Sequence, residues 1–392
     1  MKLGILLVLS SMLCACAMSP PVPPASMFQD SAFAAPSERI EAADIFALSP
    51  EMKQYFDTRI APDARVRGPR FALMDTLYSD GQLKLEYDAE ITRDAAQAFA
   101  ARSGNCLSLV VMTAAFAKAL GLDLRYQNVV IEETWGRDGQ IYFSIGHVNV
   151  TLIERRLGAN DGETTIDFLP PRDVRAQRSR QITEQRVVAM YMNNRAVESL
   201  TTDHPDDAYW YAREAIVQQP RFMAAYNTLG VVYQRHGNLA EAQRAYEFVL
   251  EREPANTRAM SNLALVLHDQ GRVIAAAELQ RKLKEIEPDP PFAYFKRGQT
   301  AMQEGNYKLA RDMFTKEVDR AAYYHEFHFW LALADVGLGD MEGARKHMEL
   351  ALQNSTTRQD HDLYAAKLDR IQGIVPVVRR DTGRVPDSRR LQ

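Results

Sequence analysis

The stretch from Met223 to Pro254, MAAYNTLGVVYQRHGNLAEAQRAYEFVLEREP, decides the fold of the second half of the chain. It holds two segments with apolar residues at helical spacing, and Gly237 lies between them. Several of its residues recur at steps of 34 positions. The recurring positions are Pro220, Pro254 and Pro288; Ala208, Ala242, Ala276, Ala310 and Ala344; and Gly237, Gly271, Gly305 and Gly339. This period predicts a stack of helical hairpins, with the glycines in the turns.

The repeat resembles the tetratricopeptide repeat, which has two antiparallel helices per unit. The residues of the quoted stretch that stand at this family's positions are Tyr226, Leu229, Gly230, Tyr233, Ala242, Tyr246 and Pro254. Other units are weaker: Gln280 stands where an aromatic is expected, and Asp203 stands at a turn glycine. We predict about five units over residues 187–374, closed by a capping helix near Asp360–Ile374, and then a polar tail over residues 375–392. The resemblance implies a peptide or protein partner on the concave surface.

Composition and charge limit the classes of protein to which the chain can belong. The chain has 392 residues, 46% of them hydrophobic and 25% charged, with a formal net charge of −4. This is ordinary globular composition, and the length suggests two or three domains. Acidic and basic residues are mixed along the chain, which argues against a nucleic-acid partner.

The N-terminus has the features of an export signal. Lys2 precedes an apolar run from Leu3 to Leu13, which is too short to span a membrane. The run ends in Leu13-Cys14-Ala15-Cys16, which resembles the bacterial lipobox. The resemblance implies a signal peptide over residues 1–15, a lipid on Cys16 and a site in the bacterial cell envelope, at the outer membrane facing the periplasm. The alternative is an ordinary signal cleaved near Ala15 or Ala17.

A proline-rich segment follows the signal. It contains Pro20, Pro21, Pro23 and Pro24. Such composition favours an extended chain, so we predict a poorly packed tether over residues 16–36.

Cys106 is the only cysteine after the signal and lipobox, so the body of the protein cannot form an intrachain disulfide. Gly104 and Asn105 break the preceding helix, and Cys106 opens an alanine-rich apolar helix that ends near Gly121. The partial positive charge of a helix N-terminus favours a thiolate there. A working cysteine and a buried structural cysteine both remain open.

A histidine and an aspartate follow on predicted strands. The expected strands are Asp123–Ile131, Ile141–Ile153 with His147, and Thr164–Leu169 with Asp167, the last two joined by a hairpin over Gly158–Gly162. Cysteine on a helix tip, then histidine and aspartate on successive strands, is the order of a catalytic triad.

The motifs GNCLSLVVMTAAFAKALGL, GHVNV and IDF resemble the bacterial transglutaminase-like superfamily, in the branch followed by tetratricopeptide repeats. The resemblance implies an α+β, papain-like domain over residues 37–186, with a helix that carries the cysteine packed on an antiparallel sheet. It implies Cys106 as the nucleophile, His147 as the general base and Asp167 as the orienting acid. Asn149 and Asp173 are rivals for the third place. We expect the Cys106 backbone N–H to form the oxyanion hole. Asn105 is a possible second donor from a side chain, and Trp135 is a possible pocket residue.

Two functions follow as hypotheses. The first is a cysteine peptidase or amidase that hydrolyses or transamidates an amide bond in a substrate recruited by the repeats. The second is a non-catalytic scaffold that organises an envelope complex. The HEFH stretch with His325 and His328 lacks the HExxH spacing of a zinc site, so we expect no metal and no cofactor.

Overall fold

The computed structural model describes residues 24–78, 83, 85–89, 91–138, 141–154, 162–168, 178–355 and 357–381. Within these ranges it describes only the backbone of residues 130–138, 141–146, 178 and 374–381. The predicted signal peptide, Cys16, the hairpin over residues 158–161 and Asp173 lie outside the described residues.

The N-terminal domain is a mixture of helices and strands, as its sequence predicts. Its helices are α1 (Pro50–Tyr55), α2 (Ala61–Arg67), α3 (Pro69–Tyr78), α4 (Ala95–Ala101) and α5 (Cys106–Ala119), with a π-helical turn at Phe56–Ile60 and 3-10 turns at Ala25–Met27, Asp30–Ala32 and Ala42–Phe46. Its strands are β1 (Glu86–Tyr87), β2 (Ser103–Gly104), β3 (Asp123–Asp138), β4 (Ile141–Glu154), β5 (Gly162–Ile166) and β6 (Arg178–Ile182).

A four-stranded antiparallel sheet in the order β5-β4-β3-β6 forms one layer of this domain. The three predicted strands are present with changed bounds: β3 continues to Asp138 instead of ending at Ile131, and β4 ends at Glu154. Strand β5 differs because it ends at Ile166, so Asp167 follows the strand instead of lying within it. Strand β6 was not predicted, since its sequence RSRQI lacks an apolar run.

Helix α5 packs against β4 and β3 and forms the centre of the domain. Every residue from Cys106 to Ala117 is buried. A helix that is apolar on all sides has to be surrounded by other elements. Here the sheet, α3, α4 and the first repeat helix surround it.

The C-terminal part is a helical solenoid. Its helices are α6 (Glu184–Thr201), α7 (Pro205–Gln218), α8 (Met223–His236), α9 (Leu239–Arg252), α10 (Thr257–Asp269), α11 (Val273–Ile286), α12 (Ala293–Gln303), α13 (Tyr307–Arg320), α14 (His325–Leu338), α15 (Met341–Gln353) and α16 (Arg358–Asp381). Consecutive helices pair from α6/α7 to α14/α15, which makes five hairpins, and α16 packs on α15. The predicted helical repeat architecture is therefore confirmed, and α16 lies where the sequence predicts a capping helix.

The structure explains the residue types at two positions of the motif, the turn between the helices and the point where they cross. The turn glycines have φ between 73° and 89°, and Asp203, at the corresponding position of the first hairpin, has φ of 61°. Gly230 lies where α8 and α9 cross, and a Cβ there would be 2.5 Å from the Tyr246 ring. The absence of a side chain at Gly230 leaves the space that the Tyr246 ring fills, so the ring fits only opposite a glycine.

The solenoid core is divided near its middle. One buried cluster extends from the N-terminal domain to Ala276, and a second begins at Phe292. Helix α11 buries only Ala276, while Val273 and Ile274 are exposed. Gln280 replaces the aromatic of the motif in this helix, so α11 lacks the ring that fills the equivalent space in α9.

Two predicted boundaries differ from the structure. Residues 24–36 of the predicted tether lie against the first repeats, where Met27 and Phe33 are buried among aromatic side chains. The proline content predicted an extended chain, but it gave no indication that this chain would bind to the surface of the first repeats. The tail also begins later than expected, since α16 continues to Asp381.

Candidate functional site

Asn105 forms the N-cap of α5 and fixes the start of the helix that carries Cys106. Its Oδ1 accepts hydrogen bonds from the Ser108 backbone N–H and hydroxyl, both at 2.9 Å. Its Nδ2 donates to the Thr92 hydroxyl at 2.9 Å. An N-cap side chain of this kind satisfies a backbone donor that the helix leaves free. Cys106 is therefore held at the first position of a well-capped helix.

His147 lies on β4, opposite Val129 of β3, and its side chain is 1% exposed. Its Nε2 is 2.7 Å from Oδ1 of Asp167. Asp167 is the first residue after β5, and β5 pairs with β4. Sheet pairing therefore brings together two residues that are 20 positions apart in the sequence.

Asn149 holds the other oxygen of the same carboxylate. Its Nδ2 donates to Oδ2 of Asp167 at 3.1 Å. Asn149 and His147 point to one face of the sheet because they are two residues apart on a strand. Asn149 thus orients Asp167 and does not take its place beside the imidazole.

Cys106 and His147 also interact. The Asp167 contact occupies Nε2 of the ring and leaves Nδ1, which is buried and has no well-aligned partner among the described residues, for the Cys106 thiol. Burial lowers the pKa of His147, but the interactions with Asp167 and with Cys106 outweigh burial and raise this pKa to about 9. The imidazolium form is therefore stabilised at neutral pH.

Tyr87 is a neighbour of Cys106 that the sequence did not indicate. Strand β1 pairs in parallel with β2, which places Tyr87 opposite Gly104. The Cys106 backbone N–H donates to the Tyr87 hydroxyl, and burial and the nearby Cys106 raise the pKa of Tyr87. The hydroxyl therefore stays protonated at neutral pH. A two-residue strand has no periodicity from which this contact could be foreseen.

The structure brings Cys106, His147 and Asp167 together and changes the interpretation of their predicted neighbours. Asn105 caps α5 through its Oδ1, and one of the two N–H groups on its Nδ2 donates to Thr92. The backbone of Trp135 pairs with Ser144, but the Trp135 side chain lies outside the described residues. The rival Asp173 and the proposed lipid site Cys16 also lie outside them.

The histidines of the repeats pack against other residues. His328 is buried on α14, where its Nε2 is 2.7 Å from the Ala322 carbonyl and its Nδ1 is 3.2 Å from Nδ1 of His347. His325 is 2.8 Å from the Tyr364 hydroxyl of α16. Across the part of the chain that the structure describes, no group of three or more His, Cys, Asp or Glu side chains is arranged to hold a metal ion.

None of the described helices has an apolar stretch long enough to cross a bilayer.

Family comparison identifies the solenoid. A family model described as tetratricopeptide repeat matches residues 227–291 and 295–358. The C-terminal solenoid is a tetratricopeptide-repeat array. The match begins within α8 and ends at the start of α16, so it covers four of the five hairpins wholly or in part. No curated protein is similar enough to this chain to match it.

Several solved structures are similar to part of the chain. A thermophilic TPR protein of Thermus thermophilus, TTC0263, is 17% identical, with 46% of this chain and 98% of that chain covered and a TM-score of 0.28. YrrB, a TPR protein with an unusual peptide-binding site, is 19% identical over 46% and 92%, with a TM-score of 0.25. MamA from Desulfovibrio magneticus RS-1 is 18% identical over 42% and 94%, with a TM-score of 0.25.

Proposed function

We propose that the protein is a binding scaffold whose tetratricopeptide repeats hold a peptide or protein partner. The observation that carries this proposal is the repeat array itself, five helical hairpins and a capping helix. Stacked repeats of this kind present a long curved surface, and they commonly use it to bind other proteins.

Site-directed photo-cross-linking tests the scaffold. Leu265 is an apolar residue of α10 whose exposed fraction is 51%, and Val66 is an apolar residue of the N-terminal domain whose exposed fraction is 84%. A benzophenone amino acid at position 265 should give discrete cross-linked partners in cells, and the same group at position 66 should not. Equal cross-linking from both positions would count against binding by the repeats.

A second function is favoured by the arrangement of Cys106, His147 and Asp167. We propose that these residues carry out thiol acyl transfer on an amide bond. The Cys106 thiolate would attack the carbonyl carbon to form a C–S bond, and His147 would protonate the departing amine as the C–N bond breaks. Water, deprotonated by His147, would then hydrolyse the thioester and restore the thiol.

Other described contacts support this chemistry. Asn149 and His147 together hold both oxygens of Asp167, which keeps the carboxylate in one orientation against the ring. Tyr87 accepts the Cys106 backbone N–H, which is the donor expected to stabilise a developing oxyanion. An acyl oxygen would take the place of the Tyr87 oxygen on this N–H.

The rate of Cys106 alkylation tests the acyl-transfer site. Mass spectrometry of the Cys106 peptide separates its reaction with iodoacetamide from that of Cys14 and Cys16 in the full-length chain. At pH 6.5, Asp167→Asn and His147→Ala should each slow the reaction by roughly tenfold or more, because the thiolate loses its imidazolium partner.

A matched control lies on the same strand as the histidine. The Thr151 hydroxyl of β4 is 2.8 Å from the Thr165 hydroxyl of β5. Thr151→Val removes this pair at nearly constant volume and should leave the alkylation rate unchanged.

Equal alkylation rates in the wild type and in both folded variants would refute the activated cysteine. The scaffold function would stand unaffected, since its test does not involve the thiol. If the cysteine is instead activated, peptide and amide libraries, with Cys106→Ala as the blank, would distinguish hydrolysis from transamidation.

We also propose that the chain is a cell-envelope lipoprotein attached through Cys16, a use supported by its lipobox-like sequence LCAC. Metabolic labelling with a radioactive fatty acid should mark the wild type, and Cys16→Ser should abolish the label. Retention of the label in Cys16→Ser would exclude Cys16 as the attachment site.

A further inference from the structure

The segment over residues 27–38, here called the strap, lies across the first repeats. Hydrogen bonds to its main-chain groups hold it there. Side chains of α7 and α8 bind five of its main-chain groups. The N–H donors are Gln29 to the Tyr209 hydroxyl at 2.9 Å, Ala34 to Asp206 at 2.8 Å and Ser37 to Asp207 at 2.7 Å; the carbonyl acceptors are Ala34 from Trp210 Nε1 at 2.6 Å and Met27 from the Tyr233 hydroxyl at 2.8 Å.

The strap also places side chains in specific positions. The Phe33 ring stacks on Tyr209, with 4.0 Å between centroids and 5° between planes. Ser37 donates to Asp207 at 2.6 Å. Glu38 accepts from the Tyr211 hydroxyl at 2.6 Å and from Arg195 at 2.9 Å. Three side chains of the strap therefore have a matching receptor group. They are the ring of Phe33, the hydroxyl of Ser37 four residues later and the carboxylate of Glu38 five residues later.

These contacts are those of a bound peptide more than those of a protein core. Met27 and Phe33 are buried, but most of the other strap residues are exposed. Recognition of an extended main chain by fixed side chains, with pockets for a few residues, is how proteins bind peptides. The receptor side chains belong to regular helices, and with the strap in place Tyr209 is fully buried and Asp207 is 7% exposed.

The receiving surface continues beyond the strap. Pro24, at the first described position, lines a cavity of about 410 Å³ together with Tyr226, Phe248 and Arg252. The Arg252 guanidinium lies 3.4 Å from the centre of the Phe248 ring, which makes an apolar and cationic wall. A ligand longer than the strap would reach this cavity.

We propose that α7 and α8 form a binding site for an extended peptide, that the strap fills this site in cis, and that a partner segment with the same pattern of residues binds by displacing it. This deepens the proposed scaffold function, on which it rests, because it specifies the chemistry of the partner. The ligand is an extended segment with an aromatic residue followed, four and five positions later, by a hydroxyl and an acidic residue.

The covalent connection explains why the strap occupies the site at rest. The strap is joined to α7 through the N-terminal domain, which packs on α6 and so keeps the strap near its receptor. A segment held near its receptor in this way acts at an effective concentration of the order of 1 mM. A free peptide whose intrinsic Kd is about 10 μM would therefore bind the wild type roughly 100-fold more weakly than it binds a chain with a released strap.

Peptide binding to the full-length chain tests the proposal. The probe is a fluorescein-labelled peptide of residues 25–40, ASMFQDSAFAAPSERI, followed by fluorescence anisotropy. Phe33→Ala removes the stacked ring of the strap and should raise probe affinity at least tenfold over the wild type. Ser31→Ala, at an exposed position of the same segment, is the matched control and should leave affinity unchanged.

A second substitution locates the site. Adding Trp210→Ala to Phe33→Ala removes the donor to the Ala34 carbonyl and should abolish the gained binding. If Phe33→Ala proves unstable by circular dichroism, Asp30→Ala with Ser37→Ala releases polar contacts of the strap without removing a buried ring.

Failure to bind the probe in a folded strap variant would overturn the proposal, as would equal binding by the wild type or persistence of binding after Trp210→Ala. The strap would then be a permanent part of the fold. Cross-linking from Leu265 reports on a different helix, so its result shows separately whether the broader scaffold function also fails.

Discussion

Helix α5 of the N-terminal domain and helix α9 of the repeats bury their residues in different ways. All residues of α5 from Cys106 to Ala117 are buried, whereas α9 buries only Ala242, Ala245, Tyr246 and Val249. Neighbours hold α5 on every side, so the thiol at its tip has a fixed position. A repeat helix packs on one face and leaves the other available, which suits a surface that binds partners.

The largest expected effect sharpens this contrast within the repeats. Tyr246→Ala removes a fully buried ring that fills the crossing of α8 and α9, and should lower the free energy of unfolding by about 3–5 kcal/mol. Urea denaturation followed by circular dichroism measures this change. Gln280→Ala in α11 is the matched control, because it alters the equivalent position in a hairpin that lacks the aromatic. A similar loss in both variants would show that the ring is not the source of the stability.

The second prediction concerns the buried histidine of the N-terminal domain. Burial opposes its protonation, but Asp167 and Cys106 raise the pKa of His147 to about 9, compared with about 6.5 in an unfolded chain. The stabilisation is therefore complete below about pH 6.5 and is lost as the pH rises to about 9. Relative to His147→Gln, the wild type should lose up to about 3 kcal/mol over this interval.

Urea denaturation at pH 6.5, 7.5 and 9 measures this difference. Wild-type and His147→Gln stabilities that change in parallel with pH would mean that the ring is not protonated preferentially in the folded protein. His268→Gln, at an exposed histidine of α10, is the matched control substitution.

The third prediction tests the close approach of the repeat helices. Gly230→Ala should cost about 1–3 kcal/mol, because its Cβ would lie 2.5 Å from the Tyr246 ring and the helices would have to separate. Gly373→Ala in α16 has free space around its Cβ and should be neutral or slightly stabilising. Thermal unfolding of the two variants measures the contrast. Equal stabilities would indicate that the crossing adapts without cost.

The smallest effect compares the same change in both regions. Tyr87→Phe removes the acceptor of the Cys106 backbone N–H and should cost about 1 kcal/mol in the free energy of unfolding. Tyr246→Phe removes a hydroxyl that reaches only Gln234, at 3.4 Å, and should cost less. The reverse order of the two losses would argue against a structural hydrogen bond between Tyr87 and Cys106.

Much of the fold could be predicted from local patterns. The 34-residue period placed the helices of the repeats, because small alanines and turn glycines recur at this step, and in two hairpins a glycine faces an aromatic ring where the helices cross. Gly104-Asn105 placed the start of α5, since asparagine is a strong N-cap. Strand β6 was missed and the bounds of β5 were misplaced, because pairing partners and not their own residues define them.

The sequence by itself determined the repeat array and the order of Cys106, His147 and Asp167, because periodicity and helix caps are properties of neighbouring residues. Tertiary structure alone decided which groups meet. Sheet pairing placed Asn149 on Asp167, strand β1 placed Tyr87 beside Cys106, and chain folding laid the strap across α7. Such contacts join residues far apart in sequence, and their energies depend on three-dimensional burial that no local pattern encodes.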